Sequence, residues 1–414
     1  MKPSRFLCRC LPWFVTSLLG CLHFRPLDRP LGEELGERAA FIDRTSHGSV
    51  SRAEELMITK VLLATRGDDL TRLKGQLEHG ADGATLHRLV YRDISDEILR
   101  QAILTHFERE AHGADQPSRS HSPRDKVRVL SDIDDTLVRS LCDERYQPKT
   151  VIPGVLEFYR ALSIGVRARS RAAEQPGEVT FLSARPRELA GLSYSSLLNP
   201  LFAANTALIT GYSLLPAPRA YPGIGNVHEV QAFAKFRNFV TYAALYPESD
   251  FVFIGDSGQG DMLSGELMLY HQPSRMRAVF IHQLVTDGKH GVLCPYPRSV
   301  TDLDHGIRKL IFFDTYIGAA VQAYKWGLIS IDSLRLIAQA TVERLNQHGQ
   351  AIVSPKHRRL VVTQFRRDLQ RAQAVLSCHA GEDQPQRIPE LLFGSTPPDV
   401  PSPATVSVSK GDGM

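Results

Sequence analysis

Cysteine is scarce in this chain and poorly placed for cross-linking. Of six, Cys8, Cys10 and Cys21 crowd the N-terminus, while Cys142, Cys294 and Cys378 are scattered, which does not read as the framework of a small disulfide-stapled domain. Cys8 and Cys10 are too close for a standard finger and no His-Glu-x-x-His occurs, so the common zinc signatures are excluded. Long apolar runs are also missing. The stretch from Leu11 to Leu22 is too short to span a bilayer as a helix. The run from Leu310 to Val321 is broken at Asp314, with Lys325 close behind, and reads as a buried core helix. Charge of one sign is not abundant either: the net charge of +4 over 414 residues is mild. With no ribbon of interleaved aromatic and basic residues, nucleic acid is not an expected partner, though attraction to an anionic surface is allowed.

What the chain has is enough apolar material for a substantial core, with 43% hydrophobic and 23% charged residues. Residues 52–112 show helical spacing at Leu56, Val61, Leu62, Leu70, Leu73, Leu77, Leu86, Leu89, Ile98, Leu99, Ile103 and Phe107, predicting a small helical region. A Gly, Pro, Ser and His stretch at 113–123 reads as a linker. From 124 to 300, strand-like runs near 126–131, 178–183, 207–210, 251–255 and 277–283 alternate with helical patterns, which predicts an α/β domain with a parallel sheet covered on both faces. Residues 301–380 read as a C-terminal helical region; its last helix carries Arg358, Arg359, Arg366, Arg367 and Arg371, a solvated basic face or one turned to lipid headgroups. The tail at 381–414 accumulates Pro, Ser and Gly without periodicity and is expected to be disordered.

The most informative segment is Val127–Leu137, a buried-looking strand that ends in Asp132 and Asp134. In an open parallel sheet, strand C-termini are where ligands bind. Two carboxylates there can divide one hard displacement into two steps, one attacking phosphorus and the other moving the leaving-group proton and then activating water. Later runs supply further groups: Ser183 and Arg185 after the second strand, Lys235 on a helical stretch, and Asp256 and Asp261 after a strand ending at Gly255. A phosphate monoester is dianionic, so a carboxylate approaches it only when cations mask the charge. Three or four carboxylates without clustered His or Cys suit Mg2+, which takes hard oxygen ligands. Asp135 reads as a loop residue, and His282 as a core or strand-end histidine rather than a ligand.

In order, Asp132-x-Asp134-x-Thr136, Ser183, Lys235 and Gly255-Asp256-x-x-x-x-Asp261 resemble the four motifs of the haloacid-dehalogenase-like (HAD-like) phosphatases. More closely, Ser-Asp-Ile-Asp-Asp-Thr at 131–136, Ile-Pro-Gly-Val at 152–155, Phe-Leu-Ser-Ala-Arg-Pro at 181–186 and Phe-Ile-Gly-Asp-Ser-Gly-Gln-Gly-Asp at 253–261 are similar to the phosphatidate phosphatase catalytic domain of the fungal actin-patch type. The resemblance covers roughly 125–290. It implies a HAD-like Rossmannoid sheet, an aspartyl-phosphate intermediate on Asp132, and Asp134 as acid and base. It also implies Mg2+ held by the Asp132 side chain, the Asp134 carbonyl and Asp256, with Asp261 as auxiliary ligand or orienter. Ser183 and Lys235 would hold phosphoryl oxygens, Thr136 would fix the loop at the phosphate, and Arg185 is a candidate substrate contact.

The short intervals from Asp132 to Ser183 and from Ser183 to Lys235 leave little room for a closing cap. An open site suits a headgroup projecting from a membrane. The implied activity is Mg-dependent release of diacylglycerol and phosphate from phosphatidate or another phospholipid at a membrane surface. A phosphatase for another large phosphomonoester, protein or polyprenyl, and an inactive scaffold stay open. At 1–24, Lys2, Arg5 and Arg9 precede the short apolar run, suiting a signal or a shallow anchor, and Leu18-Leu19-Gly20-Cys21 resembles a lipoprotein cleavage box with Leu19 a poor fit. The alternatives are a segment with no sorting role, or one that packs on the domain, in a cytoplasmic protein.

Overall fold

In the computed structural model, the described residues are 35–46, 50–78, 85–112, 127–140, 142–166, 179–186, 206–211, 227–286 and 309–379. The segments read as an N-terminal anchor, a linker at 113–123 and a tail from 381 lie outside them.

Along β1 (Val127–Ser131), β2 (Val179–Pro186), β4 (Asp250–Asp256) and β5 (Met276–His282), successive apolar side chains go to opposite faces, as the two-residue period of a strand requires. Val129, Phe181, Val252, Ile254, Ala278 and Phe280 enter one core. Leu130, Leu182, Phe251, Phe253, Val279 and Ile281 enter the other. A strand buried on both sides reads as a nearly continuous apolar run, which is why these runs were legible. With β3 (Thr206–Gly211) and β6 (Leu310–Phe313), they form a six-stranded sheet in the order β3-β2-β1-β4-β5-β6, parallel throughout. The chain reverses direction of travel across the sheet beside β1, between β1 and β4. That is the crevice where an α/β sheet presents its ligand site.

One face is covered by α1 (Leu35–Thr45), α2 (Arg52–Ala64), α3 (Gly67–Glu78), a short helical turn at Leu86–Arg88 running into a π-helix at Leu89–Asp93, and α4 (Glu97–His112). These helices share their core with α6 (Val227–Leu245) and α7 (Asp261–His271). Of the apolar positions read between 52 and 112, Ile98 departs from expectation and is 67% exposed. α2 begins with a capping box, in which the Ser51 side chain accepts from the Glu54 amide and Glu54 accepts from the Ser51 amide. A buried polar junction ties α3 to the catalytic side. Lys74 donates to the Leu245 carbonyl (2.9 Å) at the end of α6 and pairs with Glu248, and Tyr246 donates to Glu78 (2.6 Å). Burial lowers the Lys74 pKa to about 8 against the pull of Glu248.

The opposite face is covered by α5 (Val155–Ile164), α8 (Tyr316–Lys325), α9 (Ile331–Ile352) and α10 (Arg358–Ser377). Here the structure corrects one reading. The apolar stretch from Leu310, expected to be a single buried helix, divides into β6 and α8. The break falls where Thr315 caps α8 by accepting from the Gly318 amide, so Asp314, which seemed to interrupt a helix, stands just before its start, and Lys325 is its last residue. Among the described residues no helix is long and apolar enough to cross a membrane. The arginines of α10 are not a uniform solvated face: Arg367 pairs with Asp314 and Asp368, and Arg371 with Asp368.

Candidate metal and phosphate site

Asp132 follows β1 directly, and its amide donates to the Ile254 carbonyl (2.9 Å), so the chain leaving β1 stays clipped to β4. Asp256 ends β4, and Asp261 opens α7. A tight loop joins these last two. A Cβ on Gly255 would lie 2.6 Å from the Asp261 Cβ, and one on Gly260 (φ 81°) would lie 2.2 Å from the His228 carbonyl oxygen; only glycine lets α7 approach this closely. Oxygens of Asp132, Asp256 and Asp261 lie within 4.8 Å of one another, and all three residues are buried.

Lys235 reaches this cluster from α6. Its Nζ is 2.7 Å from Asp132 Oδ1 and also pairs with Asp261 Oδ1. One ammonium against three carboxylates leaves the pocket short of positive charge. Burial first, then the neighbouring carboxylates, push Asp132 and Asp256 well above the usual carboxylate range. Asp261 is raised by burial, with Lys235 opposing. Burial works against the Lys235 charge, but the three aspartates outweigh it and raise its pKa.

The donor set fits a hard cation. Among the described residues Asp132 Oδ2 is buried without a hydrogen-bond partner. Asp256 accepts the Gly258 amide (2.6 Å) on Oδ1 and only a long contact from Thr136 (3.4 Å) on Oδ2. Asp261 differs, because its Oδ1 holds Lys235 and its Oδ2 accepts the Asp256 amide (3.2 Å). Both oxygens are engaged in positioning the other groups, which suits an orienter.

This pattern has a measurable consequence. Carboxylates whose folded-state pKa is raised bind protons more tightly folded than unfolded, so their contribution to stability is complete below about pH 4 and is lost as pH rises through the raised values. A divalent cation held by these three aspartates would replace those protons. The increase in Tm on adding Mg2+ in place of EDTA should therefore grow from about pH 5 to about pH 8. An increment that stays flat or shrinks over that interval would contradict the electrostatic account.

The remaining sequence-derived positions are less uniformly placed. Ser183 is buried within β2, two residues past Phe181, the register partner of Ser131, so it stands at the same sheet end as Asp132. The backbone of Arg185 lies in β2, but its side chain lies outside the described residues. Asp134 is half-buried at a bridge to Val138 and close enough for its charge to help raise Asp132. Thr136 is fully buried, donating to Asp256 and accepting at its carbonyl from Tyr316 (2.8 Å).

Asp135 is the loop residue it was read to be. At φ 57° its carboxylate accepts from the amides of Ser140 (3.0 Å), Cys142 (2.8 Å) and Asp143 (3.2 Å), an Asx-type organisation of the loop. Sequence reasoning missed Arg145, His282 and Tyr316 as neighbours of this loop; nothing in local pattern marks a lone arginine or tyrosine as buried. It also missed that Cys142 is disulfide-bonded.

Sheet and cluster together define an α/β protein with a buried acidic site at the strand ends that can hold a metal ion. Residues 127–283, spanning β1 to β5, match the family model described as phosphatidate phosphatase APP1, catalytic domain. No curated protein and no solved structure matches the chain. The family matched is one of phosphatases, in agreement with the resemblance carried by the motifs.

Proposed function

We propose that the chain is a magnesium-dependent phosphatidate phosphatase. The observation that carries this reading is the buried Asp132–Asp256–Asp261 cluster with Lys235 at its centre, inside the segment that matches the phosphatase family. Mg2+ would be held by Asp132, the Asp134 carbonyl and Asp256, where it would neutralise charge on the phosphoryl group and the acids.

Lys235 holds Asp132 Oδ1 and favours the ionised carboxylate, opposing the upward push of burial and its acidic neighbours. Ionised Asp132 attacks phosphorus, and the bond to the ester oxygen breaks as Asp134 supplies that oxygen with a proton. Diacylglycerol leaves. Asp134, now a carboxylate, takes a proton from water, whose oxygen cleaves the aspartyl phosphate to release inorganic phosphate and restore Asp132. Ser183 donates a hydrogen bond to a phosphoryl oxygen, and Thr136 and Asp261 hold the loops in place. The lipid partner at a membrane surface belongs to the same proposal, supported by the family match and by the short intervals between motifs; nucleic acid has no part in it.

The test is phosphate release from phosphatidate vesicles and from a soluble aryl phosphate, each with Mg2+ or EDTA. The expected result is Mg-dependent release that favours the vesicles by at least about tenfold in kcat/KM, some 1.4 kcal/mol of transition-state binding. Equal or better use of the aryl phosphate would remove the lipid assignment. No release from either substrate would favour the scaffold reading.

A further inference from the structure

Both loops that carry the acidic cluster meet at His282, a residue outside the proposed chemistry. It ends β5, in register with Asp256 on one side and Phe313 on the other, and is fully buried. Its carbonyl accepts the Ser257 amide (2.9 Å), from the loop after Asp256. Its Nδ1 lies 3.1 Å from the Asp135 carbonyl oxygen, in the loop after Asp132. One residue thus grips both loops.

The ring has one possible orientation of protons. Nε2 lies 2.6 Å from an Arg145 Nη, and a guanidinium only donates. Nε2 must accept, so Nδ1 carries the hydrogen and donates it to Asp135. Burial, reinforced by the adjacent guanidinium, lowers the His282 pKa to about 4, so the ring stays neutral. Arg145 is itself completely buried and fixed from every side: by both oxygens of Asp143 (2.9 and 2.7 Å), the Asp314 and Gln283 carbonyls (2.8 and 2.9 Å) and Gln364 of α10 (3.0 Å). The imidazole lies stacked on Phe313, with ring centroids 5.2 Å apart. Asp143 closes the circuit, since its amide donates to the Asp135 carboxylate (3.2 Å).

We propose that His282, with its tautomer set by Arg145, is a positioning residue that fixes the loop bearing Asp132 and Asp134 against the loop bearing Asp256. It touches no reacting atom. Its effect on turnover rests on the phosphatase reading above, because misplacing a nucleophile by about 1 Å can cost a hundredfold in rate.

The experiment compares His282→Phe, which retains the stack on Phe313 but cannot donate, with His282→Asn, which retains a donor near the Nδ1 position. Val279→Ala, mid-strand in β5 and buried on the side of the sheet that packs Gly265 of α7, controls for lost stability. Steady-state kinetics on a soluble aryl phosphate with Mg2+ are read alongside amide hydrogen exchange of 132–143 and 256–260 in the full chain. His282→Phe should lose about a hundredfold in kcat with KM within about threefold. Exchange in 132–143 should accelerate, with 256–260 as the internal comparison because the residue-282 carbonyl still accepts the Ser257 amide in each variant, while Val279→Ala, at similar or lower Tm, keeps its kcat. His282→Asn should recover at least about a tenth of wild-type kcat and most of the protection in 132–143. The proposal is overturned if His282→Phe leaves loop exchange unchanged, if Val279→Ala loses as much kcat, or if His282→Asn is no better than His282→Phe. Should His282→Phe not fold, His282→Asn against wild type gives the same decision, since loss of loop protection in a folded Asn variant also overturns it. A wild-type chain inactive on every phosphate ester would refute the phosphatase reading alone, and the exchange data would still decide the clamp.

Discussion

Asp132→Asn should lower kcat by about 10⁴-fold or more while leaving the protein folded. The rate effect follows from the proposed covalent step: an amide cannot form the aspartyl phosphate, and Asp134 has nothing to hand its proton transfer to. The intact fold follows from the site's electrostatics. Asp132 sits among carboxylates that, with burial, already push its pKa well above the ordinary range, so removing its charge relieves repulsion. The near-isosteric amide retains an oxygen toward Lys235, 2.7 Å from Asp132 Oδ1. In EDTA the variant should be at least as stable as wild type by urea denaturation. Substantial turnover by Asp132→Asn would remove the nucleophile assignment, and a marked loss of stability would show that the local charge balance has been misjudged.

Lys235→Met should differ in its effect on stability, which falls together with activity. Lys235 Nζ is the cation that the structure brings to both Asp132 and Asp261, and it is buried with them. Deleting one member of a buried ionic group while its partners stay typically costs about 3–5 kcal/mol, because the remaining charges are left uncompensated. The cost should shrink toward about pH 5, as the aspartates, with their raised folded-state pKa values, take up protons. It should also shrink when Mg2+ supplies the missing charge. Urea titrations of wild type and variant at two pH values, with Mg2+ or EDTA, measure these terms separately. A variant as stable as wild type in EDTA at about pH 8 would mean that the three carboxylates are not ionised together.

Much of the sheet was readable because its chemistry is local. Val129, Leu130, Phe253 and Ile281 are buried on one face or the other of the sheet, and such strands announce themselves as apolar runs closed by polar residues. The first loop was readable for a related reason: a pair of acids just past a buried strand is difficult to account for as simple capping. Lys235 was harder. On sequence it is one lysine on an amphipathic helix, and only the packing of α6 against α7 turns it inward to Asp132 and Asp261. β6 was lost because four residues, Leu310–Phe313, carry too little period to separate from the apolar α8 behind them. Arg145 was invisible. An isolated arginine in an irregular loop is normally solvated, and its burial depends on Asp143, Gln364 and carbonyls far away in sequence. The interplay of distant chain segments, which no local window contains, is what sequence reading omits.

The helices before β1 and after β6 have a practical meaning for anyone trimming this protein. Phe239, Phe253 and Ile281 are roofed by side chains such as Ile58, Leu73 and Phe107, and Phe280 and Phe313 by Ile317, Val321 and Phe365. Cutting at the limits of the family match, 127 and 283, would leave α5, α6 and α7 but strip the outer helices from both faces, remove β6 and bare apolar surface to water. Such a minimal fragment is a recipe for inclusion bodies, whereas a version running from about Leu35 to Ser377 retains its own upholstery.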